Sequence, residues 1–200
     1  TVGSLALPAK AAFTDTTGHW AETAITKWSE EYSIIGGYDD GTFRPDNSIT
    51  RGAFAGILDR FLKFQTASPA GTFSDLAGNY WEDAILKLHA SGGDLGNNGA
   101  ALAGDTITRQ QAVAMIGRAF DITGETTTVH YLDAERVSGY ALPYLAEMSA
   151  RGYITDSSDG YFRPTDAITR AEIVTILDNM IEALVQTNVT YSRDVEGTVM

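Results

Sequence analysis

Three arginines stand at matched places in this chain. Arg51 closes the run Ile49-Thr50-Arg51, Arg109 closes Ile107-Thr108-Arg109, and Arg170 closes Ile168-Thr169-Arg170. An arginine that follows an N-cap threonine sits in the first turn of a helix. Backbone amides and the positive end of the helix dipole gather there. A guanidinium pairs with a carboxylate as a fork, so the chemistry on offer is capture of an anion such as a carboxylate. Trp20, Trp81 (or its neighbour Tyr80) and Tyr140 are aromatic platforms on which the apolar face of a sugar can rest. Gly37 and Gly93 would let a ligand approach the backbone. Asp15, Asp75 and Asp133 stand ready in each unit, either at the same site or as structural partners of the arginines. Trp20 likewise reads either as a platform or as core filler. Trp28 reads as core, since Leu88 and Met148 replace it. Phe43, Phe162, Arg44 and Arg163 read as loop braces.

These residues belong to a repeat. Phe13-Thr14-Asp15 recurs as Phe73-Ser74-Asp75 and, more loosely, as Tyr131-Leu132-Asp133, at steps of 60 and 58 residues. The Ile-Thr-Arg runs recur at steps of 58 and 61. Gly41-Thr42-Phe43-Arg44-Pro45 returns as Gly160-Tyr161-Phe162-Arg163-Pro164. A glycine (Gly41, Gly99, Gly160) always lies ten residues before the arginine. Two markers in register, three times over, define three units.

Each unit reads as helix, loop, helix. The first helix is expected over about Trp20 to Tyr32, with Ala24, Ile25 and Trp28 at helical period. Its counterparts are Ala84, Ile85 and Leu88, then Tyr144, Leu145 and Met148. The second helix carries the stripe Phe54, Ile57, Leu58, Phe61 and Leu62. It recurs as Ile173, Ile176, Leu177, Met180, Ile181 and Leu184, and more weakly as Val113, Ile116 and Phe120. Thr169-Arg170-Ala171-Glu172 spells a capping box, Thr108-Arg109-Gln110-Gln111 its glutamine form, and Thr50-Arg51-Gly52-Ala53 a cap without the box. The units span 13–64, 73–120 and 131–186, and each is too small to bury a core alone. A compact, all-α, pseudo-threefold domain follows. Residues 187–200 change character, and Val189, Tyr191 and Val195 suggest a strand that opens a downstream module.

The run from Phe13-Thr14-Asp15 through His19-Trp20 and Gly37-Tyr38-Asp39-Asp40-Gly41-Thr42-Phe43-Arg44-Pro45 to Ile49-Thr50-Arg51 resembles an S-layer homology repeat. The third unit resembles it through Asp159-Gly160-Tyr161-Phe162-Arg163-Pro164 and Ile168-Thr169-Arg170-Ala171-Glu172. The resemblance covers residues 13–186. It implies a three-pronged pseudo-trimer around a central helical bundle. It also implies non-covalent anchoring to secondary cell-wall polysaccharide, often capped by pyruvylated N-acetylmannosamine, in grooves between repeats. The implied setting is the surface of a Gram-positive-type bacterium, with further domains of the same parent protein as partners.

The second unit departs from the pattern. Ala101-Leu102-Ala103 replaces Phe-Arg-Pro, Gly92-Gly93-Asp94 follows its first helix, and Trp81 stands one residue too close to Ala84 to match Trp20 and Ala24. The first unit has Gly52-Ala53 where the third has Ala171-Glu172. One or two competent grooves are therefore expected, not three.

Composition narrows the alternatives. The chain has 200 residues, 26 acidic against 14 basic, a formal charge of -12, and no cysteine. That balance opposes binding to nucleic-acid backbones. It leaves anion binding to local arginines. No cysteine means no disulfide and no thiolate chemistry. No run is long and apolar enough for membrane insertion. His19, His89 and His130 do not recur in register, and no nucleophile elbow, phosphate loop or metal-ligand spacing appears. No catalytic residue, metal or cofactor is expected. Asp39-Asp40-Gly41 and Asp156 with Asp159-Gly160 only faintly suggest calcium loops, and turn chemistry explains them better. A protein-binding adaptor or lattice-assembly module is the serious rival to glycan binding. Residues 1–12 read as the tail of a signal peptide, with Ala9-Lys10-Ala11 fitting the small-x-small cleavage rule, or as a plain extension.

Overall fold

A computed structural model describes residues 13–93, 96–124, 126, 128–155 and 158–196, with side chains described as far as residue 183. The possible signal remnant, Asp156 and the side chain of Leu184 lie outside the described residues. The described chain is all-α. Helices α1 (Glu22–Thr26), α3 (Glu82–Ala90) and α5 (Leu142–Ala150) are the first helices of the three units. Helices α2 (Arg51–Leu62), α4 (Arg109–Ala119) and α6 (Arg170–Glu196) are the second ones. Helix α1 widens into a π-helical turn over Lys27–Glu31, where the Tyr32 amide reaches the Lys27 carbonyl at 3.0 Å.

The helix starts follow their sequence. Thr50 Oγ1 accepts from the Ala53 amide, a cap without a box. Thr108 with Gln111 forms the full box. So does Thr169 with Glu172: the Thr169 amide donates to Glu172 Oε2 at 2.8 Å, and the Glu172 amide donates to Thr169 Oγ1 at 3.2 Å. Helices α1 and α3 use another device, while ahead of α5 the Ser138 amide donates to Gln110 Oε1 at 2.9 Å. The Gly18 and Gly78 amides donate to Glu22 and Glu82, each at 2.8 Å. Each carboxylate thereby ties the preceding turn to its helix and stands at the positive helix end.

One expectation is corrected. Val189, Tyr191 and Val195 lie in α6, not in a strand. No glycine or proline interrupts residues 170–196, so each added residue gains a helical hydrogen bond. Among the described residues no strand lies alongside to satisfy the β preference of these three.

The units close on one another at their Ile-Thr-Arg runs. The Ile49 amide donates to the Ile168 carbonyl, Ile168 to Ile107, and Ile107 to Ile49, at 3.2, 3.1 and 3.2 Å. This is a ring of three hydrogen bonds around a pseudo-threefold axis. All three isoleucines are buried. The helices pack in the same cyclic order: α2 on α3, α4 on α5, and α6 on α1. The second helix of each unit therefore packs on the first helix of the next. Trp28 is fully buried at the closure of unit three on unit one, and its Nε1 donates to Asp178 at 3.0 Å. Lys27 pairs with Asp178 at 2.8 Å there, and Lys87 meets Asp59 at 3.4 Å at the corresponding contact of α3 with α2. Among the described residues no helix is long and apolar enough to cross a membrane.

Shared closure predicts one cooperative unfolding transition. Ile107→Ala removes a fully buried ring side chain and should cost roughly 2–5 kcal/mol. Urea denaturation followed by far-UV dichroism and tryptophan fluorescence should give coincident curves. A separate early transition in one probe would contradict mutual dependence of the units.

Candidate functional site: three composite grooves

The ring decides what the arginine-bearing helix ends can do. The Arg51 amide donates to the Asp105 carbonyl at 2.9 Å, Arg109 to Asp166 at 2.9 Å, and Arg170 to Asn47 at 3.0 Å. The next amides are likewise held: Gly52 by Ala103, Gln110 by Pro164, and Ala171 by Pro45. The threonine caps take the third amide. The expectation of free amides beside the arginines is thus corrected. The neighbouring unit's loop already uses them, which leaves the guanidinium as the arginine's remaining donor group.

Each arginine reaches a groove assembled from all three units. The first groove, about 250 Å³, has its floor on α2 and the loop of unit one (Ile35, Gly36, Gly37, Tyr38). Arg170 enters it from unit three and Trp81 from unit two. The second, about 500 Å³, lies on α4 and its loop (Gly96, Asn97, Leu102), with Arg51 from unit one and Tyr140 from unit three. The third, about 550 Å³, lies on α6 and its loop (Ile154, Thr155, Ser158), with Arg109 from unit two and Trp20 from unit one. Arginine and aromatic side chains stand together in all three grooves.

The guanidinium groups differ in their company. Arg109 Nε donates to the Phe162 carbonyl at 2.6 Å, and its Nη1 pairs with Glu172. Arg170 is buried, donating from Nε to the Phe43 carbonyl at 2.9 Å and from Nη2 to Gly36 at 2.7 Å. It lies over the rings of Phe43 and Tyr38, 4.4 and 5.2 Å from their centroids. Burial pulls its pKa below the usual arginine value, with Tyr38 and Asp15 opposing that shift. Arg51 approaches the Met115 sulfur at 3.9 Å.

The aspartates take a third role that neither expectation named. Asp15 accepts from the Phe43 and Arg44 amides at 2.8 and 2.7 Å. Asp75 holds the Ala101 and Leu102 amides, and Asp133 the Phe162 and Arg163 amides, in the same way. Each carboxylate staples its own loop, where the second residue has positive φ: Arg44 and Arg163 at 57°, Leu102 at 53°. The Ala101 and Leu102 amides hold the Asp75 carboxyl below its ordinary range. The staple survives in unit two because it uses backbone amides, so Ala-Leu-Ala can replace Phe-Arg-Pro. Arg44 and Arg163 brace their loops through Asp40 and Asp159. Hydrogen bonds from Thr42 and Arg44 hold the Asp40 carboxyl at about 2. That clasp is turn chemistry. Among the described residues no group of three or more His, Asp or Glu could hold a metal ion.

The aromatic register is also corrected. Ile25, Ile85 and Leu145 donate to the carbonyls of Ala21, Trp81 and Ala141. The equivalent aromatics are therefore Trp20, Tyr80 and Tyr140, and no residue is missing in unit two. Trp81 replaces a buried alanine. It fits because Gly52 and Gly56 on α2 lack side chains that would collide with its ring. Trp20 and Tyr80 are 63% and 83% exposed, which removes Trp20 from the core. Gly37 lines the first groove, and a Cβ there would collide with Phe13 and the Thr42 carbonyl. Gly93 is buried at the end of α3 against Leu88, and Gly96 lines the second groove instead. Sequence reading missed Arg60, Arg118 and Asn179, which line grooves one, two and three. They recur at 58 and 61 residues, the same steps as Ile-Thr-Arg, and that register was the available signal.

Three units joined by composite grooves that bring arginines and aromatics together thus form one repeat module. Residues 12–55 and 130–174 match the S-layer homology domain family, and these two segments are S-layer homology repeats. The unit between them repeats their geometry. The chain is 26% identical over 179 residues to an amylopullulanase of Thermoanaerobacterium thermosulfurigenes, covering 85% of this chain and 9% of that protein. It is 29% identical to a cellulosome-anchoring protein of Acetivibrio thermocellus, covering 82% of this chain and 24% of the relative. It is 27% identical to the surface-layer 125 kDa protein of Lysinibacillus sphaericus, covering 74% and 13%. The chain thus spans less than a quarter of the length of each.

The Trp81 exchange gives a direct test. Gly56→Ala should destabilise the parent by about 1–3 kcal/mol through overpacking. On a Trp81→Ala background the same change should be neutral, or stabilising by about 1 kcal/mol. Chemical denaturation of the four variants measures this coupling. Equal effects in both backgrounds would contradict the packing.

Proposed function

We propose that this chain anchors its parent protein to the outer surface of a Gram-positive-type bacterium, by holding an anionic cell-wall polysaccharide in the grooves between its repeats. One observation carries the reading: each groove unites a guanidinium, an aromatic ring and a loop from three different units. Such a cleft suits a ligand with one acidic and one apolar face. A pyruvylated sugar has both, since its ketal carboxylate matches a guanidinium fork and its ring can rest on an indole or phenol. The formal charge of -12 offers a polyanion no general attraction, so binding would depend on these local arginines.

The relatives support attachment over catalysis. A segment shared by an amylopullulanase, a cellulosome-anchoring protein and a surface-layer protein fits a role common to differently named parents. In this reading the chain does no chemistry, and further domains of the parent act at the surface it reaches.

Calorimetric titration with native cell-wall polysaccharide, before and after removal of its pyruvyl groups, tests this. Binding to the native polymer and its loss on depyruvylation are expected. Failure to bind pyruvylated polymer from several sources would overturn the reading in favour of a protein adaptor.

A further inference from the structure

The three grooves are alike in plan and unlike in charge. The difference arises at the third helical position, occupied by Ala53, Gln111 and Glu172 in α2, α4 and α6. In the third groove, Glu172 pairs with Arg109 and completes the cap of α6. The groove's cation is thereby neutralised from within, and Asn179 adds no charge. In the first groove, alanine stands where that glutamate would be. Arg170 and Arg60 both line it, and among the described residues no carboxylate does. Arg170 is 8% exposed, and among the described residues its bonds run to carbonyl oxygens and aromatic faces, with no acid at ion-pair distance. Arg60 donates to the Ile34 carbonyl at 3.2 Å and sits 5.9 Å from the centre of the Trp81 ring. A buried cation without a counter-charge is costly, and an anion that completes the pair recovers that cost.

We propose that the residue at this third position selects ligand charge groove by groove: the first groove takes the anionic end group between Arg170 and Arg60, and the third takes an uncharged sugar on Trp20. This rests on the glycan reading above and assigns its subsites. The first groove, at about 250 Å³, falls below the ~300–1,000 Å³ usual for drug-sized ligands, so it suits one terminal residue of a chain. Trp81, seated on Gly52 and Gly56, forms its wall. The third groove is larger, and Trp20, Ile154 and Ile176 give it an apolar wall. The two departures of unit one from the third unit's Ala-Glu sequence thus act together: glycine admits the indole and alanine leaves the charge open.

The test installs the missing acid. Ala53→Glu places a carboxylate beside Arg170, as Glu172 stands beside Arg109, and it also completes the capping box begun by Thr50. The full chain is titrated calorimetrically with a pyruvylated cell-wall oligosaccharide and with the methyl ester of its pyruvyl carboxylate. Ala53→Glu should weaken the acidic probe about tenfold or more, the loss expected when one charge-assisted bond goes. It should leave the ester's affinity within about twofold and the melting temperature equal or higher. Arg60→Gln should weaken the acidic probe alone. Glu172→Gln should strengthen it, by freeing Arg109. Unchanged affinity for the acidic probe in Ala53→Glu and Arg60→Gln, with the parent binding it, would overturn this assignment while leaving glycan anchoring intact. No binding of either probe by the folded parent would overturn both.

Discussion

Ile49, Ile107 and Ile168 hold one another's backbones around the pseudo-threefold axis, and nearly everything else in the structure depends on that ring. It sets the three Thr-Arg helix starts at equal turns about the axis. It feeds the first two amides of each starting helix into the neighbouring unit's loop. Those amides would otherwise need caps or water. Because the bonds pass from unit to unit, each helix pair forms between units: α2 with α3, α4 with α5, α6 with α1. Each groove lies along one such pair, at the start of its first-type helix, and takes its arginine from the remaining unit. A site made of three units' residues is therefore a consequence of how the chain closes.

Within this common frame, single residues make the grooves unequal. Trp81 in place of alanine narrows the first groove and is tolerated only beside Gly52 and Gly56. Glu172 serves a helix cap and an arginine at once, so the third groove's charge is consumed by the protein. Ala101-Leu102-Ala103 keeps the loop of unit two because Asp75 grips amides, which every residue but proline supplies. Symmetry of backbone and asymmetry of side chain coexist. The backbone bonds carry the fold, and the side chains facing the clefts make them differ in charge and shape.

Much of this was legible in the sequence. The 58- and 61-residue steps, the threonine caps and the apolar stripes gave three units and their second helices. The arginines and aromatics were readable as candidates from residue type, while the grooves that bring them together were not. Three things were hidden. The cyclic exchange of amides and carbonyls leaves no mark on side-chain pattern, so the helix ends looked free. The aspartates' bond to loop amides is set by a positive-φ residue that Arg44, Leu102 and Arg163 disguise. The register of Trp81 was obscured because a tryptophan filled an alanine's place, and only the compensating glycines on another unit explain it. Gly93 looked like a ligand-facing glycine, yet it is needed for packing against Leu88. Local pattern reports local structure; contacts between units need the closed ring.

The most direct measurement is a crystal structure of the full chain with a pyruvylated cell-wall oligosaccharide bound. The acidic end group should lie in the cleft where Arg170 of the third unit faces Trp81 of the second and Arg60 of the first. Ligand seated on the surface of a single unit, away from every cleft between units, would contradict recognition by composite grooves.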